Sequence, residues 1–464
     1  MSTDFLHGFE FIEYAPYQSI QMVRSSVIGL VGVSPIGPVN TPVLIMGKPD
    51  SAQFGFDNAW SIPQALKAIF DQGDHIGFVV AVNVCDPAKH STAVVDEAWQ
   101  FGADGNITLA HKWGSSLVVK SSDGLTTYTS GTDYVFTAST GIITRVTTGV
   151  IPANASVKAS YSYTDMSKVT LADIIGGVDA VTGKNTGIEA LLDTSSIFGF
   201  APKLLIAPGY SSDKTVMDEL LVKADTLRAF AIADPPVGAT TEVILAYRGQ
   251  FDNPRAVVTY PLLQYQDTDG SDRMGPYSAY LAGVISRTDN DLGFWYSPSN
   301  KIIYGIDGLE RPIPYITFHD PNSMANYLNE NHIVTVIHAD GYRVWGNYSA
   351  TTDTAWQFIA IRRQFDIIED SIEIGTLNLL DRPINKAFFQ DLQDNVQAFL
   401  NSLLGRGAIV YGKCMIAPED NPPTEIAAGH VTARLDIAPT YPAQRITYSV
   451  TVDVDQLALL FTQQ

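Results

Sequence analysis

The residues best equipped for chemistry are few, and they do not converge. Gly177 to Lys184 has the look of a phosphate-cradling loop, with glycine amides followed by a lysine. Its spacing fails, because five residues separate Gly177 from Gly183 where that motif needs four, and Asn185 stands where a hydroxyl would hold magnesium. The run also follows a helix-like stretch and not a strand, so it reads as a Gly-rich loop. Asp267, Asp269 and Asp272 suggest a calcium loop, but the register is wrong and no Glu closes it, which leaves an exposed acidic turn. His332 and His338 fall on one side of a strand-like run. Six residues of strand span about 20 Å, too far for one metal ion. Cys85 and Cys414 are the only two cysteines, 329 positions apart. They offer neither a disulfide framework nor zinc spacing and read as buried free thiols. No GxSxG or HExxH string occurs. The chain is expected to be non-enzymatic, with no catalytic residue, cofactor or metal site.

Composition points the same way. The chain has 464 residues, 45% hydrophobic and only 17% charged, with a formal net charge of −20. That length predicts two to four domains. The sign of the charge excludes a general nucleic-acid binder. Few charges of one dominant sign fit a surface largely committed to other protein surfaces. No Lys or Arg precedes Arg24, and the apolar run at 27–33 is seven residues long. A secretory signal needs a basic start, and a membrane span needs about 20 apolar residues. Synthesis in a reducing cytoplasm, with no export signal and no membrane insertion, is the expectation.

The elements that would carry function are the sheets and the two chain ends. Strand signals lie at 27–33 and 42–47, and Pro63 opens a helix at Ser61. The apolar runs at 78–84 and 203–207 read as strands buried on both faces. Ser211-Ser212-Asp213 offers N-cap chemistry. Val216, Leu220, Ala224 and Leu227 follow at helical spacing before a strand at 229–233. This β-α-β order predicts a largely parallel sheet covered by helices. Residues 105–165 change character, with short alternating runs at 116–120, 134–137, 142–147 and 157–163. They predict an all-β insert at 100–166 within an α/β core at 24–99 and 167–355.

A C-terminal α+β domain is expected at 356–464. Phe358, Ile361, Phe365, Ile368 and Ile372 mark one helix face. Asp381-Arg382-Pro383 should start a second helix with Phe389, Leu392, Val396, Phe399 and Leu403 on one side. A strand follows at 409–415. The cleanest alternation closes the chain: Ile446, Tyr448, Val450, Val452 and Val454 face one way. Residues 1–23 read as an extended arm. A strand with one apolar face and free backbone groups needs a partner, and residues 446–454 and 9–14 are both such segments.

Four stretches, in order along the chain, resemble the tail sheath proteins of contractile phage tails and of phage-tail-like bacteriocins. The first runs from His7-Gly8-Phe9-Glu10-Phe11-Ile12-Glu13 through Ser26-Val27-Ile28-Gly29-Leu30-Val31-Gly32 to Thr41-Pro42-Val43-Leu44-Ile45. Another joins the loop at Ala207-Pro208-Gly209 to Asp234-Pro235. A third is Ala282-Gly283-Val284-Ile285-Ser286-Arg287-Thr288-Asp289 with Gly293-Phe294-Trp295-Tyr296-Ser297-Pro298-Ser299-Asn300. The last is Gly341-Tyr342-Arg343-Val344-Trp345-Gly346-Asn347, leading to the helix with Arg362-Arg363. After Asn347 sheath proteins commonly carry Arg, and here Tyr348 replaces it. The insert resembles a β module of many phage structural proteins, worn outward.

The resemblance implies a homo-oligomer of stacked six-fold rings around a tail tube protein, bounded by a baseplate and a tail terminator, with no direct nucleic-acid contact. It implies a place in the virion, after assembly in the host bacterial cytoplasm. It implies terminal arms that cross to neighbouring subunits. Phe9, Phe11, Ile12 and Tyr14 would mark the N-terminal arm, and Ile446, Tyr448, Val450, Val452 and Val454 the C-terminal strand. Gly8, Pro16, Pro439 and Pro442 would be the hinges, and Arg362 and Arg363 would face the tube. Two alternatives stand beside it. One is a receptor- or glycan-binding protein using Tyr128, Tyr134, Tyr161 and Tyr163 of the insert as an aromatic platform. The other is an α/β hydrolase-like enzyme with an unrecognised site.

Overall fold

The computed structural model describes residues 20–315 and 318–461. Its centre is an eight-stranded sheet built from β1 (Ile28–Gly32), β2 (Val43–Ile45), β3 (Val79–Asn83), β4 (Leu204–Ile206), β5 (Phe230–Ala233), β6 (Ala256–Thr259), β7 (Ile333–His338) and β8 (Tyr342–Trp345). The order is β2-β3-β1-β4-β5-β6-β7-β8. The six inner strands are parallel, and β2 and β8 run antiparallel at the edges. The continuous apolar runs follow from burial on both faces. Within β4, Leu205 joins the core on one side, with Val216, Met217 and Leu220 of α2 (Lys214–Leu227). Leu204 and Ile206 join the other, with Ile62, Leu66 and Ile69 of α1 (Ser61–Phe70) and Leu281 and Ile285 of α3 (Tyr277–Asp291). Asp213 caps α2 by accepting from Thr215 N at 2.8 Å.

The inserted module is a sandwich of a four-stranded and a three-stranded sheet around Phe101, Ile107, Val119, Tyr134, Ile143, Val157 and Tyr161. Its first strand, Ser91–Gln100, lies before the expected boundary at 100 and pairs antiparallel with Ser156–Thr164. The alternation test misses this strand for a physical reason. The ladder slips between Ala159 and Tyr161, where Val95 and Asp96 oppose Ser160, and Asp96 has φ +51. This bulge moves the inward positions from Thr92 and Val94 to Glu97 and Trp99. Tyr134 and Tyr161 are core residues of the module, and Tyr163 stacks on His111 at 3.8 Å. They form no exposed aromatic platform.

The C-terminal part holds α4 (Ile359–Gly375), α5 (Lys386–Gly405), β9 (Ile409–Met415) and β10 (Arg434–Pro439). Helix α5 starts later than Pro383, at an Asn385 cap that accepts from Phe388 N at 2.9 Å. Phe388, and not Phe389, is the buried member of that pair. Beyond the expected face, α4 also buries the polar Arg363, Gln364, Asp366 and Ser371.

Candidate functional site

Strands β9 and β10 form a two-stranded antiparallel sheet, with Tyr411 opposite Ala438 and Met415 opposite Arg434. Helix α5 covers one face through Val396, Phe399, Leu400 and Leu403, which pack with Ile409 and Cys414. Gly412 permits this approach, since a Cβ there would lie 3.1 Å from Leu400 Cβ and 2.7 Å from Ile409 Cδ1. Val410 and Tyr411 are exposed. Sheets become independently stable at about three strands or more, or when packed on a helix. This one has its helix but is short of strands.

Beyond β10 the chain is held at a few points and then released. Thr440 Oγ1 reaches Gly407 O and Ala408 O, both at 2.9 Å. Tyr441 meets Phe358 edge-on at 5.8 Å, and Tyr348 donates its hydroxyl to Gln444 Oε1 at 2.5 Å. Tyr348 is itself set between His332 and Phe358, each with ring centroids 5.0 Å away. Tyr348 therefore anchors the tail root. Pro439 sits inside the β9–β10 ladder opposite Ile409, and Pro442 lies between two anchored residues. The chain leaves the body after Gln444.

Residues 446–454 have no ladder partner within the described chain. Ile446, Tyr448, Val450, Val452 and Val454 are 63 to 87% exposed. Among the described residues they are therefore not part of a sheet. A period-two apolar stripe in water is an interaction surface or an aggregation hazard.

Gly8, Phe9, Phe11, Ile12, Tyr14 and Pro16 lie outside the described residues. The root that follows them is pinned to α4. Ile20 packs in the core shared with Ile367 and Ile368, Val23 N donates to Ser371 Oγ at 3.1 Å, and Ser25 O accepts from Arg363 at 3.2 Å. Arg24 lies 4.5 Å over Phe78. The two roots therefore meet α4 at opposite ends, Ile20 near Gly375 and Tyr441 near Phe358. A 17-residue helix separates them by roughly 25 Å.

The same helix corrects the reading of Arg362 and Arg363. Arg363 pairs with Asp289 of α3 through contacts of 3.0 and 2.5 Å, and the two side chains are 3% and 0% exposed. Arg362 stacks 4.1 Å over Trp356 and donates to Asp366 at 2.7 Å. Neither guanidinium is free to face a tube. Asp366 also receives Arg255, and Asp370 receives Lys203 and Arg228. The polar face of α4 is thus spent on docking the C-terminal part to the α/β core. The acidic stripe Asp366, Glu369, Asp370 and Glu373 was the available sequence signal for this role.

The chemical candidates are otherwise engaged. Gly177–Val178 and Asn185–Thr186 close as a hairpin, with Asp179 N donating to Lys184 O at 2.8 Å. Asp267 accepts from Asn58 at 2.7 Å and pairs with Arg273 at 2.5 Å. His332 Nδ1 donates to Ser349 O at 2.9 Å, while His338 stacks on Tyr342. Burial, with Asp86 nearby, pushes the Cys85 thiol up to about 12, and burial raises Cys414, so both thiols are poor nucleophiles. Among the described residues no group of three His, Cys, Asp or Glu is placed to hold a metal ion, and no helix is long and apolar enough to cross a membrane.

One buried carboxylate has a structural task. Asp234, just past β5, accepts from Ser278 N at 2.7 Å and Ser278 Oγ at 2.6 Å at the start of α3. Burial pushes it up to about 6, against those hydrogen bonds. The folded state then holds the proton more tightly than the unfolded chain, so this group's contribution to stability falls as pH rises from about 4 to 7. Relative to Asp234→Asn, the wild-type chain should lose roughly 3 kcal/mol over that range in urea titrations at successive pH values. A pH-independent difference would show that Asp234 titrates normally.

Comparison with known proteins places this architecture. A sequence profile described as the phage tail sheath protein central domain matches residues 183–350, and one described as the phage tail sheath C-terminal domain matches 351–453. A third, described as a protein of unknown function, matches 86–173, the stretch that holds the inserted module. The tail sheath protein of Burkholderia phage BcepMu is 39% identical, with 99% of each chain covered. That of Escherichia phage P2 is 28% identical over 63% of this chain and 74% of its own. The helical sheath of the anti-feeding prophage in its contracted state shares the fold, at TM-score 0.61 and 18% identity, covering 98% of this chain and 100% of that one. The class is that of a structural subunit of a contractile tail sheath. The chain belongs to the phage tail sheath protein family.

Proposed function

We propose that this subunit polymerises as stacked six-fold rings around a tail tube and is linked to its neighbours by strand exchange through both arms. The observation that carries this reading is the exposed strand-like segment 446–454 beside a sheet of only two strands. Addition of a strand from another copy supplies main-chain hydrogen bonds for affinity and alternating side chains for register. The tail tube, a baseplate and a tail terminator are the other partners. The assembly belongs to a phage tail and forms in the host bacterial cytoplasm.

Contraction follows from a rigid body on flexible ties. The ion pairs along α4 hold core and C-terminal part together, while the chain beyond Gln444 spans to a neighbour. Bodies can then slide and rotate into a shorter, wider lattice without losing their links. A gain of about 1–3 kcal/mol per subunit, summed over many copies, drives the tube through the host envelope with no nucleotide, because the energy is stored at assembly. The contracted state in which the similar anti-feeding prophage sheath was solved supports this reading.

Electron microscopy of the purified full chain tests it. Long striated tubes are expected, with a strand from another copy added to the β9–β10 sheet in a helical reconstruction. Discrete particles that bind glycans would favour an adhesin acting through the insert. The net charge of −20 also predicts that salt accelerates polymerisation by screening subunit repulsion. A light-scattering rate independent of salt between about 50 and 500 mM would remove that electrostatic role.

A further inference from the structure

The two edges of the β9–β10 sheet are not equivalent. Cys414 N donates to Gln397 Oε1 at 2.9 Å, and a backbone N–H has one proton to give. Cys414 therefore points away from β10. Alternate residues of a strand point the same way, so Gly412 also faces outward. Gly412 O accepts from Gln397 Nε2 at 3.1 Å, and Cys414 O accepts from Gln393 Nε2 at 3.4 Å. The second Gln397 amide proton goes to Asn401 Oδ1 at 3.0 Å, which fixes the orientation of the group. One side-chain amide thus presents to β9 the donor and acceptor that a peptide group of an added strand would present.

The spacing explains the fit. Gln393, Gln397 and Asn401 recur every fourth residue of α5, a rise of about 6.0 Å per step. Outward-facing groups of a strand recur every second residue, about 6.7 Å. A helix lying along the strand edge can therefore serve successive backbone groups with successive amides.

The opposite edge is different. Across the ladder, Ile437 faces Gly412 and Leu435 faces Cys414, so the backbone groups of these two residues point out from β10. Among the described residues no side chain bonds to them, and Arg434, Leu435, Asp436 and Ala438 are exposed. The chain's own tail is led elsewhere, because Tyr441 and Gln444 are held on Phe358 and Tyr348.

We propose that the Gln397 amide closes the outer edge of β9 in the unassembled subunit, so that the outer edge of β10, at Leu435 and Ile437, is the one that first accepts residues 446–454 of a second copy. This rests on the strand-linking reading above and adds to it a closed edge and an order of docking. A free subunit with one edge blocked offers a neighbour a single template, which restrains unseeded pairing.

Hydrogen exchange and assembly kinetics on the full chain test this. In the unassembled wild type the Cys414 amide should be protected. In Gln397→Leu, which keeps the side-chain bulk, and in Gln397→Ala, it should exchange about tenfold faster, with unseeded polymerisation faster by a similar factor. On assembly of the wild type, new protection should appear at 434–438. Unchanged exchange at Cys414 in both variants, with melting temperatures that show them folded, would overturn the closed edge. New protection confined to β9 would overturn the docking order. Failure of the strand-linking reading is told apart by a chain ending at Thr440: tubes from that chain would defeat strand linking, while the Cys414 measurement on unassembled protein would stand.

Discussion

A chain ending at Thr440 should remain monomeric at concentrations where the full chain is expected to form tubes. The segment removed makes few contacts with its own subunit: the edge of Tyr441 on Phe358, and the Gln444 amide on Tyr348. Its apolar side chains stand in water. Removal should therefore change the melting free energy by no more than about 1 kcal/mol, the value of one ordinary hydrogen bond. Its effect on assembly should be far larger. About five main-chain bonds at ~1 kcal/mol each contribute roughly 5 kcal/mol per link. Burying two or three large apolar side chains adds about 4–6 kcal/mol before ordering costs. Loss of even 5 kcal/mol raises the critical concentration by more than three orders of magnitude. Sedimentation and negative-stain microscopy read the outcome. A truncated chain that melts normally and still forms tubes would show that the bodies alone make the lattice.

A finer variant separates strand pairing from general stickiness. Val450→Pro removes one N–H from the middle of the segment and leaves most of its apolar surface. If pairing is the link, this change weakens assembly nearly as much as truncation. If the stripe acts only as a hydrophobic patch, Val450→Ser is the more damaging of the two.

Much of the architecture was legible because its signals are local. Strands buried on both faces announce themselves as apolar runs, and β3 and β4 lie within the segments 78–84 and 203–207. Helix α2 follows from its spacing and Asp213. The errors come from elements whose pattern is broken or set at long range. The bulge at Asp96 hid the first strand of the insert. β10 carries only Leu435 and Ile437 as large apolar residues, too few to register as a period. Arg363 reads as a surface charge from its own segment. Its partner Asp289 lies 74 positions away on α3, and nothing local brings them together. Residues 446–454 show the converse. Their alternation is the strongest in the chain, yet they have no ladder partner among the described residues.

Asp289→Ala should be the most destabilising of the single changes considered. The Arg363 guanidinium stays charged at any working pH. With its side chain 3% exposed, it would be left with Ser25 O as its remaining hydrogen-bond partner. Removing one member of a buried pair costs about 3–5 kcal/mol, because the survivor keeps its desolvation penalty and loses its counter-charge. For a chain of 464 residues that is a fall in melting temperature of about 3–5 °C. The double variant Asp289→Leu with Arg363→Met removes both charges at similar volume and should recover most of the loss. A double variant no better than Asp289→Ala would mean that packing at α3, not the ion pair, holds the site. The assembly readout carries the functional part. Arg363 also tethers the N-terminal root at Ser25, so hydrogen exchange at 23–26 should rise in the double variant, which lacks the guanidinium, and much less in Asp289→Ala, which keeps it. If the root must be fixed for the arm to reach a neighbour, the double variant will melt near the wild type and still polymerise poorly. Stability and linkage would then be measured apart.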